Sequence, residues 1–287
     1  MVIARRDFLK LSSGAAGLVL LNPISGLRKL SSAANNSSDI AMRIDVTKCV
    51  GCWWCYAACK EYNGLPEAVQ PDPEDPPELA QDTWTTLFAA DGKFRKQACN
   101  HCTEAACVDV CPTGALYHHE LGFVAYNSSK CSGCGYCTEA CPFGVPQLAG
   151  NDATGMRLMG KCTFCMDRVA NGEQTACSEA CPTEAIKFGK RGDLLQECHD
   201  RVDSLKPKNP NATVYGDKEL GGLHVLYVLD DKPTVYGLPE EPKVPIATTI
   251  WQDIIQPIGW AVAALVVAGL GFNYVVARKT IKGDSDH

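Results

Sequence analysis

The sequence predicts an α+β fold in which one small cysteine-rich domain is inserted into another, with a single transmembrane helix near the C-terminal end. Three observations predict it. Sixteen of the 17 cysteines form four groups of four with repeated short spacings, short runs of strand character stand between and around those groups, and one long uncharged apolar run follows them. At 287 residues the chain has room for two compact domains of about 100 to 150 residues and some further segments, which makes one large core a poor expectation. The net charge of -6 comes from interspersed acidic and basic residues, so no nucleic acid is expected as a partner.

Residues 1–34 read as a twin-arginine export signal. Arg5 and Arg6 precede Asp7, Phe8, Leu9 and Lys10, a weakly apolar run covers 11–21, and Ser32, Ala33 and Ala34 offer a small-residue cleavage site. A basic amphipathic start of the mature domain is the plainer alternative. Export of an already folded protein removes an apparent conflict, because cysteines in an exported chain would otherwise suggest disulfides, whereas folding around metal first delivers the thiolates already ligated.

The cysteine spacings decide the chemistry. Cys49, Cys52, Cys55 and Cys59 follow C-x-x-C-x-x-C-x-x-x-C, and Cys131, Cys134, Cys137 and Cys141 repeat it with Pro142 after. Cys99, Cys102, Cys107 and Cys111 widen the middle gap to four residues; Cys162, Cys165, Cys177 and Cys181 widen it to eleven; Pro112 and Pro182 follow. Three closely spaced thiolates wrap one loop around a 4Fe-4S cubane, and the fourth, displaced by a further turn and a proline, reaches the neighbouring cluster. Zinc would favour two separated C-x-x-C knuckles, and disulfides rarely place three cysteines so close along a chain. The cofactors expected are therefore four 4Fe-4S clusters.

Residues 99–141 read as one two-cluster ferredoxin-like unit: motif, strand at 115–117, turn near 120–122, strand at 123–126, motif. The second and third motifs thus pair. By elimination the first and fourth pair around them, with entering and leaving strands at 42–46 and 185–188. On this reading Cys49, Cys52, Cys55 and Cys181 hold one cluster and Cys162, Cys165, Cys177 and Cys59 another. Cys99, Cys102, Cys107 and Cys141 hold a third, and Cys131, Cys134, Cys137 and Cys111 the fourth. A tandem pairing, first with second and third with fourth, is the competitor. The nested reading divides the chain into an outer ferredoxin-like domain (41–60 and 155–190), an insert (61–96), an inner ferredoxin-like domain (97–150), an extension (191–245), a transmembrane segment (246–278) and a tail (279–287).

Gly51 and Gly133 let backbone amides approach sulfur. Lys48, Lys130 and Lys161 each precede a first ligand and either tune potential or are simply solvated. His101 sits inside a complete cysteine motif, so a supporting or surface role is expected rather than iron ligation, and Cys198, outside every motif, reads as packing in a helix at 193–204. Residues 66–82, with five prolines, six acidic residues and no Lys or Arg, read as a surface loop. The stretch 84–89, Asp91-Gly92 and 93–96 reads as a hairpin, and 224–229 as a strand. Nothing resembles a phosphate loop, a catalytic triad or a flavin site, so no catalytic residue is expected.

Residues 254–277 carry no charge and as a helix would span roughly 36 Å, enough for a hydrocarbon core of about 30 Å. Arg278, Lys279 and Lys282 follow, which puts the C-terminus in the cytoplasm and the cysteine domains outside the membrane. Gly259, Gly269, Gly271 and Asn273 suit contact with a partner helix, a lone lipid-facing anchor being the alternative.

The sequence resembles the four-cluster iron-sulfur subunits of molybdenum or tungsten oxidoreductases and certain hydrogenases over about residues 43–277. Within them it is most similar to the beta subunit of membrane-bound formate dehydrogenase, through Cys49 to Cys59, the stretches 131–143 and 161–169, Gly221-Gly222-Leu223-His224-Val225 and Tyr236-Gly237-Leu238-Pro239. The resemblance implies the nested pairing. It also implies two partners, a catalytic subunit that oxidises formate and a membrane cytochrome b that passes electrons to quinone. In that relative the export signal belongs to the catalytic subunit. Here the chain carries its own, as hydrogenase iron-sulfur subunits do, which makes hydrogen the alternative donor.

Overall fold

The strand that enters the first cysteine group pairs with the strand that leaves the fourth. The structure, a computed structural model, describes residues 39–72, 75–150, 157–245, 250 and 254–283, so the export-signal segment 1–34 lies outside the described residues. β1 (Ile40–Asp45) lies antiparallel to β8 (Ile186–Lys190), with Ile44 opposite Ile186. On its other side β1 runs parallel to β10 (Val225–Leu229), which pairs antiparallel with β9 (Thr213–Tyr215), giving the order β8-β1-β10-β9.

The segment after the fourth cysteine group, expected as an extension running down toward the membrane, therefore supplies half of this sheet. The reason is hydrogen bonding: every β10 residue is buried, and without β10 the inner edge of β1 would bury unpaired amides. Side chains alternate across the sheet as a period of two requires. Ala41, Leu226 and Val228 face α6 (Arg191–Leu205) and pack on Leu194, Cys198 and Val202. Met42, Ile44, Val225, Tyr227 and Leu229 face the cysteine loops, against Trp53, Phe123 and Phe164. Cys198 is thus a core residue.

Three hairpins complete the frame. β2 (Thr86–Ala90) and β3 (Lys93–Gln97) turn at Asp91 and Gly92, both with positive φ, the geometry two-residue hairpin turns need. β4 (Leu116–His118) and β5 (Val124–Tyr126) pair between the second and third groups. β6 (Gln147–Gly150) and β7 (Arg157–Gly160) pair between the third and fourth, a hairpin the sequence did not announce. Short helices follow, with Cys55 and Cys59 on α1 (Trp54–Tyr62), Cys107 on α2 (Ala106–Asp109), Cys137 on α3 (Tyr136–Ala140) and Cys177 on α5 (Ala176–Glu179), while α4 (Met166–Ala170) starts just after Cys165. α1 packs against α5 and α2 against α3, so helices of the first and fourth groups touch, as do those of the second and third.

Residues 33–245 form one unit, and residues 246–287 belong to another. In the latter, α7 (Gln256–Gly283) has an apolar stretch, Pro257–Tyr274, of mean hydropathy 1.5, long and apolar enough to cross a membrane. The helix includes Arg278, Lys279 and Lys282, so it continues into the segment expected to be a tail from residue 279.

Candidate metal centre

The first and third cysteine groups open on the same local device. Asp45 accepts a hydrogen bond from the Thr47 backbone N–H at 3.1 Å, and Asn127 accepts one from that of Ser129 at 3.0 Å, each capping a single helical turn that ends at a lysine before the first cysteine. Gly51 and Gly133 then take φ of 67°, which turns their N–H groups toward the thiols of Cys49 and Cys131. A side chain at Gly133 is disfavoured on two counts, its positive φ and the 2.2 Å that would separate its Cβ from the Arg157 carbonyl oxygen. The second and fourth groups use bulky residues at the corresponding turn, His101 at φ 48° and Phe164 at φ 62°. A left-handed non-glycine residue costs on the order of 1 to 3 kcal/mol and persists where packing holds it.

The thiols gather in four places. Cys49 has Cys52 and Cys181 beside it, and Cys55 faces Cys177, Cys49 and Cys52. Cys165 faces Cys162, Cys177 and Cys59, and Cys59 faces Cys162 and Cys177. Cys102 faces Cys99, Cys107 and Cys141; Cys137 faces Cys134, Cys131 and Cys111. In each gathering, three cysteines come from one sequence group and one from another. Cys55 with Cys177, and Cys107 with Cys137, connect neighbouring gatherings.

All seventeen cysteines are free thiols, and Cys134 alone among them is exposed. Burial pushes Cys165 up to about 12 and Cys137 up to about 11, reinforced by neighbouring thiols, and drives Cys55 and Cys107 higher still. Cys111 and Cys131 lie below the ordinary thiol value. Burial raises both, but the Leu116 N–H on Cys111, and the Tyr126 hydroxyl with the Gly133 N–H on Cys131, outweigh it.

Whether these residues fit an iron-sulfur group can be tested on the space between them. Cys59, Cys162, Cys165 and Cys177 line one pocket, and Cys111, Cys131, Cys134 and Cys137 line another. Among the described residues, no three His, Cys, Asp or Glu side chains close tightly enough for a single metal ion. Four thiols around one pocket suit a multi-iron group with one ligand per corner. Inside the first turn Trp53 Nε1 is buried without a hydrogen-bond partner, an available donor for sulfide.

The surrounding charges sort the lysines. Lys48 and Lys130 are exposed and solvated. Lys161 is buried, its Nζ donating to the carbonyl oxygens of Val124 at 2.9 Å and Cys162 at 2.8 Å. His101 is fully buried and neutral, burial and Lys161 holding it well below its ordinary value, so its Nδ1–H donates to the Val124 oxygen at 3.1 Å. Lys96, buried on β3 among several thiols, was not singled out by the sequence, because a lysine in a hairpin reads as surface.

A family model described as a 4Fe-4S dicluster domain matches residues 90–191. The chain is 34% identical over 281 residues to the formate dehydrogenase iron-sulfur subunit of Haemophilus influenzae, covering 92% of this chain and 88% of that one. It is 36% identical over 265 residues to the nitrate-inducible formate dehydrogenase iron-sulfur subunit of Escherichia coli, covering 87% and 89%. The chain belongs to the family of formate dehydrogenase iron-sulfur subunits. A thiosulfate reductase electron transfer subunit of Salmonella typhi is 42% identical over 158 residues, 54% of this chain and 77% of that one. The protein is thus a 4Fe-4S electron-transfer subunit of a respiratory oxidoreductase.

Family membership gives the stretch 221–225 a physical meaning. The Thr103 N–H donates to the Gly222 oxygen at 2.9 Å, Glu104 N–H to the Leu220 oxygen at 2.8 Å, and His224 N–H to the His101 oxygen at 3.1 Å. Backbone that continues into β10 thus braces the loop of the second cysteine group. Arg191 locks the brace from behind, its Nε donating to the Leu223 oxygen at 3.0 Å.

Proposed function

We propose that the chain holds four 4Fe-4S clusters in the nested arrangement and relays electrons from a catalytic subunit to a membrane partner. Cys49, Cys52, Cys55 and Cys181 are the ligands of one cluster, and Cys162, Cys165, Cys177 and Cys59 of the second. Cys99, Cys102, Cys107 and Cys141 serve the third, and Cys131, Cys134, Cys137 and Cys111 the fourth. The observation that carries this reading is the exchange of the last cysteine: Cys59 neighbours Cys162 and Cys177, and Cys181 neighbours Cys49. When bound, the clusters supply reversible one-electron carriage. The chain's own residues supply thiolates, exclude water and set the local charge; none of them is catalytic.

The catalytic partner oxidises formate, the reading that the family's named members favour, and a membrane cytochrome b or other quinone-reactive subunit accepts the electrons. The apolar helix α7 holds the chain in the lipid of the cytoplasmic membrane as a single pass. Arg278, Lys279 and Lys282 put its C-terminal end in the cytoplasm and the clusters on the outer face, in keeping with a twin-arginine signal at Arg5 and Arg6. A second reading, a different oxidoreductase as the catalytic partner, is favoured by the similarity to the thiosulfate reductase electron transfer subunit; an uptake hydrogenase as the donor is the alternative that the chain's own export signal suggests.

Isolated membranes containing the complex, titrated under anaerobic conditions with formate and separately with hydrogen, decide between the donors. Bleaching of the iron-sulfur absorbance by formate alone supports the first reading. Bleaching by hydrogen alone, or by neither, rejects it. About sixteen irons and as many sulfides per chain are expected, and eight would refute the count of four clusters.

A further inference from the structure

Three of the four cysteine groups end on the same turn. A proline follows Cys111, Cys141 and Cys181, and the N–H of the residue three places on donates back to the cysteine carbonyl: Gly114 to Cys111 at 3.4 Å, Gly144 to Cys141 at 3.1 Å and Glu184 to Cys181 at 3.3 Å. That third residue has positive φ each time, 63°, 61° and 52°. The backbone is thus repeated, and the residue two places after the cysteine takes an equivalent position. It is Thr113, Phe143 and Thr183.

The side chains at that position differ in what they can donate. Thr113 Oγ1 lies 3.7 Å from Cys111 Sγ, and Thr183 Oγ1 lies 3.8 Å from Cys181 Sγ. Phe143 has no group to offer Cys141. The first group ends without a proline, inside α1, and uses another residue: Asn63 Nδ2 lies 3.6 Å from Cys59 Sγ and 2.8 Å from the Cys59 carbonyl oxygen, with one amide hydrogen for each. Thr175 Oγ1 also lies 3.5 Å from Cys177 Sγ, but Ser178 Oγ at 3.0 Å competes for its proton. Between a thiol and a hydroxyl either atom can donate. A sulfur bound to iron is a thiolate without a proton, so there the hydroxyl or amide is the only donor, and the charge of its acceptor strengthens the bond.

We propose that Asn63, Thr113 and Thr183 set reduction potentials: each donates a hydrogen bond to the last cysteine of its group and raises the potential of the cluster that this sulfur ligates, while the cluster of Cys141 has no such donor at its exchanged ligand. The inference rests on the nested four-cluster reading above, in which donor and cluster belong to different groups. Thr183 acts on the cluster of Cys49, Cys52 and Cys55, Asn63 on that of Cys162, Cys165 and Cys177, and Thr113 on that of Cys131, Cys134 and Cys137. The step concerned is the gain of one electron by a cluster, delivered from the catalytic partner; no bond to iron forms or breaks, and no proton moves. Reduction adds one negative charge that the ligand sulfurs share, so a donor fixed on sulfur favours the reduced form. Burial orders the effects. Cys59 is buried and Cys181 half-buried, whereas Thr113 is exposed and water competes with it.

The test uses the purified complex with its clusters loaded. Iron and sulfide are measured first, and each component is then titrated potentiometrically by electron paramagnetic resonance in wild type, Asn63→Leu, Thr113→Val, Thr183→Val and Thr183→Ser. A low iron count in wild type rejects the four-cluster reading itself, before any variant is compared. With full loading, Thr183→Val is expected to lower one component by about threefold to tenfold in its reduction equilibrium, about 28 to 59 mV for one electron. Asn63→Leu should lower a second component by at least as much and Thr113→Val a third by less, with one component unmoved in all three. Thr183→Ser, which keeps a hydroxyl, should stay near wild type. Each variant is read at its own cluster, so one that fails to load leaves the other two to decide. Unshifted components in Thr183→Val and Asn63→Leu, or a serine variant that falls as far as the valine one, would overturn the proposal. So would loss of iron from Thr183→Val and Thr183→Ser alike, since that assigns the side chain to packing.

Discussion

His101 and Phe164 meet edge to face, their ring centroids 4.7 Å apart and their planes at 67°. Each is the third residue of a Cys-x-x-Cys turn, each has positive φ, and the two turns belong to the second and fourth cysteine groups. The contact therefore ties loops that are about sixty residues apart in sequence. Phe123 stacks on Phe164 at 5.2 Å, so the pair is the centre of a small aromatic core.

Phe164→Ala should destabilise the chain by about 3 to 5 kcal/mol, the range for emptying a buried aromatic site. Thermal unfolding of the loaded protein checks it, and a shift worth less than about 1 kcal/mol would show that the two loops are held by something else.

Asp45 and Asn127 cap equivalent turns but sit in different surroundings. Asp45 is fully buried and also takes a bond from Arg201 Nε at 3.0 Å, whereas Asn127 is half-buried with local partners. Asp45→Ala should therefore cost about 2 to 4 kcal/mol and Asn127→Ala about 1 kcal/mol. Denaturant midpoints measured side by side test the ranking, and equal losses would contradict it.

Cys59→Ala separates the nested from the tandem pairing. The nested arrangement predicts loss of the cluster bound by Cys162, Cys165 and Cys177, with about four irons fewer per chain. Loss of the cluster at Cys99, Cys102 and Cys107 instead would support the tandem scheme; iron analysis with resonance spectra of the variant distinguishes them.

His224 gives the stability a pH dependence of known sign. Burial holds it below its ordinary value, although its bond to the Ile40 oxygen at 2.7 Å and the charge of Asp39 pull the other way. The folded chain thus refuses a proton that the unfolded chain accepts. Its contribution is fully present above about pH 6.5 and is lost as pH falls further, with a slope of at most about 1.4 kcal/mol per pH unit. His224→Gln should flatten urea midpoints between pH 7.5 and 5.5; parallel profiles in the two proteins would exclude the histidine as a cause.

Much of this fold is legible in the sequence. The strands at β1, β4, β5 and β8, the β2–β3 hairpin and helix α6 were visible because alternation, an Asp-Gly turn and helical periodicity are local signals. The β6–β7 hairpin was hidden because Gln147, Ala149 and Gly150 have little strand character. The place of β10 beside β1 was hidden for another reason: the run itself was recognisable, but its partner lies some 180 residues earlier, and pairing over that distance leaves no local trace. Lys161 drew notice by standing next to Cys162, while Lys96, buried by distant segments, had no such neighbour.

The parallel pairing of β1 with β10 also fixes when the molecule can be finished. The first strand emerges early in synthesis and the last only after residue 229, with all sixteen motif cysteines made in between. Until then one edge of β1 stays open and the brace on the second cysteine loop is missing. Closure of the sheet is a late event that waits for nearly the whole cysteine-bearing unit, so a chain that stops short of β10 can carry every thiol and still lack the frame that holds them.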